Sequence, residues 1–304
     1  MTINASASSP GKSSPIGVFD SGIGGVSVLK HIRECMPHEA LLYCADSGYA
    51  PYGNKSAEFI RERSLSLTRF LVGQGAKAIV VACNTATASA IATLRSHFSL
   101  PVIGMEPAVK PAAAATRSGV VGVLATSGTL KSAQFAALLE SYGKNVQVVT
   151  QACHGLVECV ERGELDGAAT RALVAQYVRP LLAAGADTIV LGCTHYPFLR
   201  PLIEAEAGPS VTLIDTGEAV ARQVERRLRE AALLNDVPGE PETTFWINRA
   251  DSRELQETAA VISRLWDAGA RGAVAGFHAL PEALGSGPAR TGGISGGGPP
   301  LRQP

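Results

Sequence analysis

Two cysteines stand in matching surroundings. Cys83 ends the apolar run Ala78-Ile79-Val80-Val81-Ala82 and precedes Asn84-Thr85. Cys193 ends Thr188-Ile189-Val190-Leu191-Gly192 and precedes Thr194-His195, at an offset of 110 residues. A free thiol titrates near ~8.5, and its thiolate is the reactive form. One thiolate and one thiol on opposite faces of a small carbon acid make a two-base device. The first removes a proton from one face, the second delivers another to the opposite face, and the carbon is inverted. The step calls for no nicotinamide, flavin or pyridoxal phosphate. Residues Thr85–His97 and Phe198–Ala207 each read as a helix starting soon after one of these cysteines. Helix dipoles are therefore expected to draw both sulfurs toward the thiolate. A disulfide between them is a rival chemistry that a reducing compartment disfavours. Packing of two small apolar side chains in a duplicated fold is a third reading. The shared register and the hydroxyl and amide neighbours weigh against it.

Other polar groups gather at predicted strand exits. Asp20-Ser21-Gly22-Ile23-Gly24-Gly25 follows the first strand, and its glycines would let backbone N–H groups approach an anion. The run is neither a dinucleotide fingerprint nor a Walker A loop. Taken alone, Asp20-Ser21 reads as a turn and helix cap. Pro51-Tyr52-Gly53-Asn54 is a second such loop. The six cysteines (Cys35, Cys44, Cys83, Cys153, Cys159, Cys193) include no C-x-x-C pair. Cys153-His154 with Cys159 matches no common zinc spacing, so no metal site is expected.

The elements that carry these residues form an α/β pattern. Strands are predicted at 16–19, 41–45, 78–82, 102–104, 120–125, 145–149, 188–192, 212–214 and 243–248. Helices fall between most of them: Ser56–Val72 capped by Ser56, Asp166–Ala183 capped by Asp166, and Ser252–Trp266. Strands apolar throughout suit mostly parallel sheets covered on both faces by helices. Around Cys83 and Cys193 the two halves repeat at an offset of 110, and Ile16–Ser21 resembles Val121–Thr126 at 105. Two pseudo-symmetric domains follow, with the active site in the cleft between them. The expected division is 16–107 plus 216–268 for one and 108–215 for the other. The leader 1–15 and the Gly/Pro-rich tail 269–304 are expected to be disordered. With 304 residues and 27 basic against 27 acidic side chains, no net charge favours nucleic acid or an anionic membrane. No apolar stretch reaches membrane-helix length and the N-terminus has no signal-like apolar region, so a cytoplasmic protein is expected.

The motifs Phe19-Asp20-Ser21-Gly22-Ile23-Gly24-Gly25, Ala50-Pro51-Tyr52-Gly53, Ala82-Cys83-Asn84-Thr85-Ala86 and Gly192-Cys193-Thr194-His195-Tyr196-Pro197 together resemble the cofactor-independent glutamate racemases of the aspartate/glutamate racemase superfamily. The resemblance covers residues 16–266. It implies interconversion of L- and D-glutamate for bacterial peptidoglycan, without a cofactor. It implies that Cys83 deprotonates the D-isomer and Cys193 the L-isomer, assisted by Asp20 and His195. Ser21, Tyr52, Gly53, Asn84, Thr85 and Thr194 match substrate contacts, as do Thr126 and Thr129. Asp20 and His195 face the substrate as well, and Asp46 and Glu161 match accessory acids near the cleft. Cys44, where the family usually has no thiol, is read as a packed strand residue. The resemblance also implies a homodimer. An aspartate or hydantoin racemase is the nearest alternative, and a non-enzymatic two-lobed anion-binding module the more distant one.

Overall fold

Short runs of β-branched and small apolar residues become inner strands, and amphipathic stretches between them become covering helices. The computed structural model describes residues 10–143, 145–239, 241–249, 251–267, 273–281 and 284. In chain order it contains β1 (Ile16–Asp20), α1 (Val26–Cys35), β2 (Leu41–Ala45), α2 (Ala57–Gly73), β3 (Ala78–Val81), α3 (Asn84–His97), β4 (Val102–Ile103), α4 (Val109–Ala115) and β5 (Val120–Ala125). There follow α5 (Ser127–Leu130), α6 (Ala133–Tyr142), β6 (Gln147–Ala152), α7 (Leu156–Glu161), α8 (Ala168–Ala183), β7 (Thr188–Leu191), α9 (Arg200–Ala207) and β8 (Thr212–Ile214). The last elements are α10 (Gly217–Glu230), β9 (Thr243–Ile247), α11 (Ser252–Asp267) and β10 (Val274–Ala279).

All strand pairs are parallel. They form a six-stranded sheet in the order β10-β9-β2-β1-β3-β4 and a four-stranded sheet in the order β6-β5-β7-β8. The strand order β2-β1-β3-β4 recurs as β6-β5-β7-β8, four strands later. The sequence repeat survives in the ladder register. Val18 pairs with Val80 in the first sheet and Val123 with Val190 in the second, at the same offsets of 105 and 110. Both halves are thus copies of one unit, each a parallel sheet wrapped by helices. β1 and β3 are buried along their whole length, as strands covered on both faces must be. One apolar cluster runs through both halves, from Val18 and Ile23 to Leu124 and Leu191.

Local chemistry explains the boundaries. Ser56 caps α2, its hydroxyl accepting from Phe59 N–H at 3.2 Å. The expected Asp166 cap is corrected: α8 starts after Gly167, with no side-chain cap. The sixth strand lies at 147–152 rather than 145–149. It is a half-exposed edge strand, so its ends follow the ladder with β5 and not an apolar run.

Part of the tail expected to be disordered is a strand. β10 pairs with β9, and Phe277 stacks on Phe245 with ring centroids 5.1 Å apart. An edge strand held by backbone bonds and two ring contacts, Phe277 on Phe245 and His278 on Trp246, needs no apolar run, so composition concealed it. Within the leader, Pro15 C=O accepts from Lys77 N–H at 2.9 Å, and Lys12 C=O accepts from the Lys77 ammonium. These contacts order residues expected to have no structure. Residues 1–9 and 285–304, where leader and tail were also expected to be disordered, lie outside the described residues. No helix among the described residues is long and apolar enough to cross a membrane.

Candidate active site

The carboxyl ends of β1 and β3 in one sheet, and of β5 and β7 in the other, converge on one cavity. Its free volume is only about 10 Å³, room for a single water at most. Cys83, Asn84, Thr85, Ser21, Tyr52 and Gly53 line it from the first half, and Cys193, Thr194, His195 and Thr126 from the second. Asp20, Asp46, Thr129 and Glu161 stand behind this wall and contact it through neighbours.

Cys83 is the N-cap of α3, its sulfur accepting from Ala86 N–H at 3.5 Å with Ser21 Oγ at 3.8 Å. The expected lowering by the helix dipole does not prevail. Burial, and then the negative charge of Asp20, push the Cys83 thiol well above its usual range, and the Ala86 N–H offsets only part of this. Asp20 itself is fully buried. Its carboxylate accepts from the N–H groups of Ser21 and Gly25, both at 2.6 Å, and from Thr194 Oγ1 at 3.2 Å. Burial raises Asp20 above the ordinary carboxylate range, against the opposing charge of His195.

Cys193 has a different environment. A tight turn at Tyr196–Leu199 separates it from α9, which starts at Arg200 rather than the expected Phe198, and the sulfur caps no helix. Its partner is the imidazole of His195, with Nδ1 3.7 Å from the sulfur. The other nitrogen, Nε2, lies 2.7 Å from Glu161 Oε1. Burial opposes charge on this ring, but the contacts with Cys193 and Glu161 outweigh it and hold the imidazolium well above the usual histidine range. The two sulfurs are therefore asymmetric, one beside a carboxylate and one beside a cation.

The glycine-rich loop serves a purpose its sequence did not reveal. A Cβ on Gly24 would fall 2.2 Å from His195 Nδ1, and one on Gly22 would fall 2.0 Å from Glu161 Oε1. These glycines make room for side chains of the facing half. Gly53 is similar: a Cβ there would meet Thr126 Cβ at 2.9 Å. Three hydroxyls join the halves beside it, with Thr85 Oγ1 2.8 Å from Thr126 Oγ1 and 3.1 Å from Thr129 Oγ1. Asn84 is buried, yet neither its amide oxygen nor its nitrogen has a hydrogen-bond partner among the described residues. A polar side chain so placed on a cavity wall is suited to meet a polar ligand.

Asp46 is no isolated acid. It pairs with Arg63 (Nη2–Oδ1 2.6 Å, Nε–Oδ2 3.0 Å) and accepts from Asn248 Nδ2 at 2.7 Å and from the Tyr52 hydroxyl. This buried cluster anchors the loop that carries Tyr52 and Gly53. Arg63, Asn248 and Ser47 were not singled out in the sequence. Arg63 lies on the buried face of α2 with Ile60 and Leu67, an unusual place for a cation and the signal that could have found it. Asn248 directly follows β9, a strand exit like those of the cysteines. Ser47 carried no signal of its own. Cys44 and Cys153 are core thiols, the latter pushed up to about 12, first by burial.

Residues 16–224 match the Asp/Glu/Hydantoin racemase family. The glutamate racemase of Ectopseudomonas mendocina (strain ymp) is 60% identical over 252 residues, 83% of this chain and 94% of that protein. The structure resembles glutamate racemase isoform RacE1 from Bacillus anthracis (TM-score 0.76, 33% identity, 87% of this chain and 98% of that one). It also resembles Escherichia coli glutamate racemase in complex with L-glutamate and the activator UDP-MurNAc-ala (TM-score 0.76, 30% identity, 88% and 98%).

Proposed function

The chain belongs to the Asp/Glu/hydantoin racemase family, among its glutamate racemases, and from that premise we propose that it inverts glutamate with Cys83 and Cys193 as paired bases. The observation that carries this reading is the asymmetric pair of sulfurs lining one cavity from opposite halves. In the L-to-D direction, Cys193 acts as thiolate beside the His195 imidazolium and takes the α-proton. Cys83, held as a thiol by burial and the neighbouring Asp20, delivers its proton to the opposite face. The product leaves with Cys193 protonated and Cys83 as thiolate, ready for the D-isomer, and exchange with solvent resets the pair. Asp20 and His195 each assist the neighbouring sulfur. Charge developing toward the substrate carboxylate is met by the hydroxyls of Ser21, Thr85 and Thr194 and the amide of Asn84, dipoles fixed before the reaction. Tyr52, Gly53 and Thr126 shape the wall around the substrate, and Thr129 backs it through Thr85 and Thr126. Asp46 and Glu161 act from behind it.

Residues 16–107 with 216–268 form one domain in this reading, to which β10 is added, and 108–215 the other. The product serves bacterial peptidoglycan, made in the cytoplasm, and the enzyme is a homodimer. The glutamate bound in the related Escherichia coli structure supports the choice of substrate. Incubation with each enantiomer in D2O, without added cofactor, tests the mechanism. Early product carries deuterium at Cα while remaining substrate stays protiated. Early labelling of substrate and product alike, or full activity in Cys83→Ala or Cys193→Ala, refutes two-base inversion. Aspartate turned over in preference to glutamate refutes the substrate.

A further inference from the structure

Glu161, at the end of α7, gathers contacts from both halves. On its own half Oε1 lies 2.7 Å from His195 Nε2. From the facing half, Ile23 N–H donates to Oε1 at 2.7 Å and Ser47 Oγ donates to Oε2 at 3.0 Å. Ile23 follows β1 and Ser47 follows β2, neighbouring strands of the six-stranded sheet. Separation of the halves would carry these two donors away together and leave Glu161 with His195.

We propose that Ser47 is a positioning residue for the reaction. With Ile23 N–H, it completes the hydrogen-bond set of Glu161 only in the closed cleft, and so fixes the carboxylate that holds His195 against Cys193. The inference rests on the roles given above to His195 and Cys193. It adds a residue from outside the cavity wall and ties the imidazole's partner to closure. Ser47 is buried, so loss of its hydroxyl leaves Oε2 short of a donor where water has little access. The titratable groups facing His195 are Cys193 beside it, Glu161 on α7 and Asp20 across the cleft. Those acting on Glu161's site also include the phenol of Tyr43.

The test is Ser47→Ala, studied by steady-state kinetics with both enantiomers and by an NMR titration of the His195 imidazole. Free L- and D-glutamate are equal in energy, so kcat/KM falls by the same factor in both directions. We expect about a tenfold fall, in the range of a lost hydrogen bond to a charged group. The imidazole titrates at lower pH than in the wild type, because its partner is no longer held. In a double-mutant cycle with Glu161→Gln the losses are less than additive. Lower activity with an unmoved His195 titration marks a purely structural role and overturns the proposal, as does unchanged activity. If Ser47→Ala does not fold, Ser47→Cys, with a weaker donor of similar size, replaces it under the same criteria. A wild type that fails to racemise glutamate refutes the racemase reading, whereas an unmoved His195 titration in Ser47→Ala refutes the role of Ser47.

Discussion

Cys83 and Cys193 show how neighbours decide what one functional group does. Both sit at the ends of buried strands, yet one faces a buried carboxylate and the other an imidazolium. The upward shift of Cys83 also has a thermodynamic consequence. Its native state holds the proton more tightly than the unfolded chain, where a thiol titrates near ~8.5. The stability this supplies is complete below that value and is lost as pH rises through the higher native value. Cys83→Ser, whose hydroxyl does not titrate there, should therefore lose less stability than the wild type between neutral and alkaline pH. Urea unfolding of both proteins at pH 7 and about pH 10 checks this. Parallel curves would mean that Cys83 is not held as a thiol.

At the scale of elements, the loop after β1 is built around close approach. Gly24 leaves the space that His195 Nδ1 occupies, so Gly24→Ala must displace either the loop or the imidazole. A displacement of about 1 Å at a catalytic group costs on the order of 100-fold in rate. We expect Gly24→Ala to lower kcat/KM by about that factor while the circular dichroism spectrum stays native. Near-wild-type turnover would show that the loop yields at no cost to His195. The loop after β2 is held differently, by the buried Asp46–Arg63 pair with Asn248 and Tyr52. One loop depends on absent side chains and the other on a charge cluster, although both follow strands of the same sheet.

For the whole molecule, two copies of one α/β unit face each other across the cavity. The wall includes groups from both, and the Thr85–Thr126–Thr129 hydroxyls and the Glu161 contacts cross between them. A cleft this tight requires the halves to part for substrate to enter and to close for water to leave. Saturating glutamate should lower the radius of gyration in small-angle X-ray scattering and slow amide exchange in the 20–25 and 46–54 loops. Identical scattering and exchange with and without glutamate would remove closure from the mechanism.

The α/β alternation and the doubled unit could be read from the chain because apolar runs and the repeat at 105 and 110 are one-dimensional signals, whereas the order of strands within each sheet could not. The two cysteines were legible for the same reason, since each ends such a run. Edge strands left fainter traces: β6 is half exposed, and β10 lies in a glycine-rich stretch held by backbone bonds and two ring contacts. Arg63, Asn248 and Ser47 belong to three separate segments that meet only when the sheet is assembled. The protonation of Cys83 and His195 depends on burial and on charges distant in sequence. Residue order specifies which chemical groups arrive at the strand ends. Folding in three dimensions determines which of them meet, how dry the place is, and therefore where each proton rests, because desolvation and Coulomb energies depend on distance in space and not along the chain.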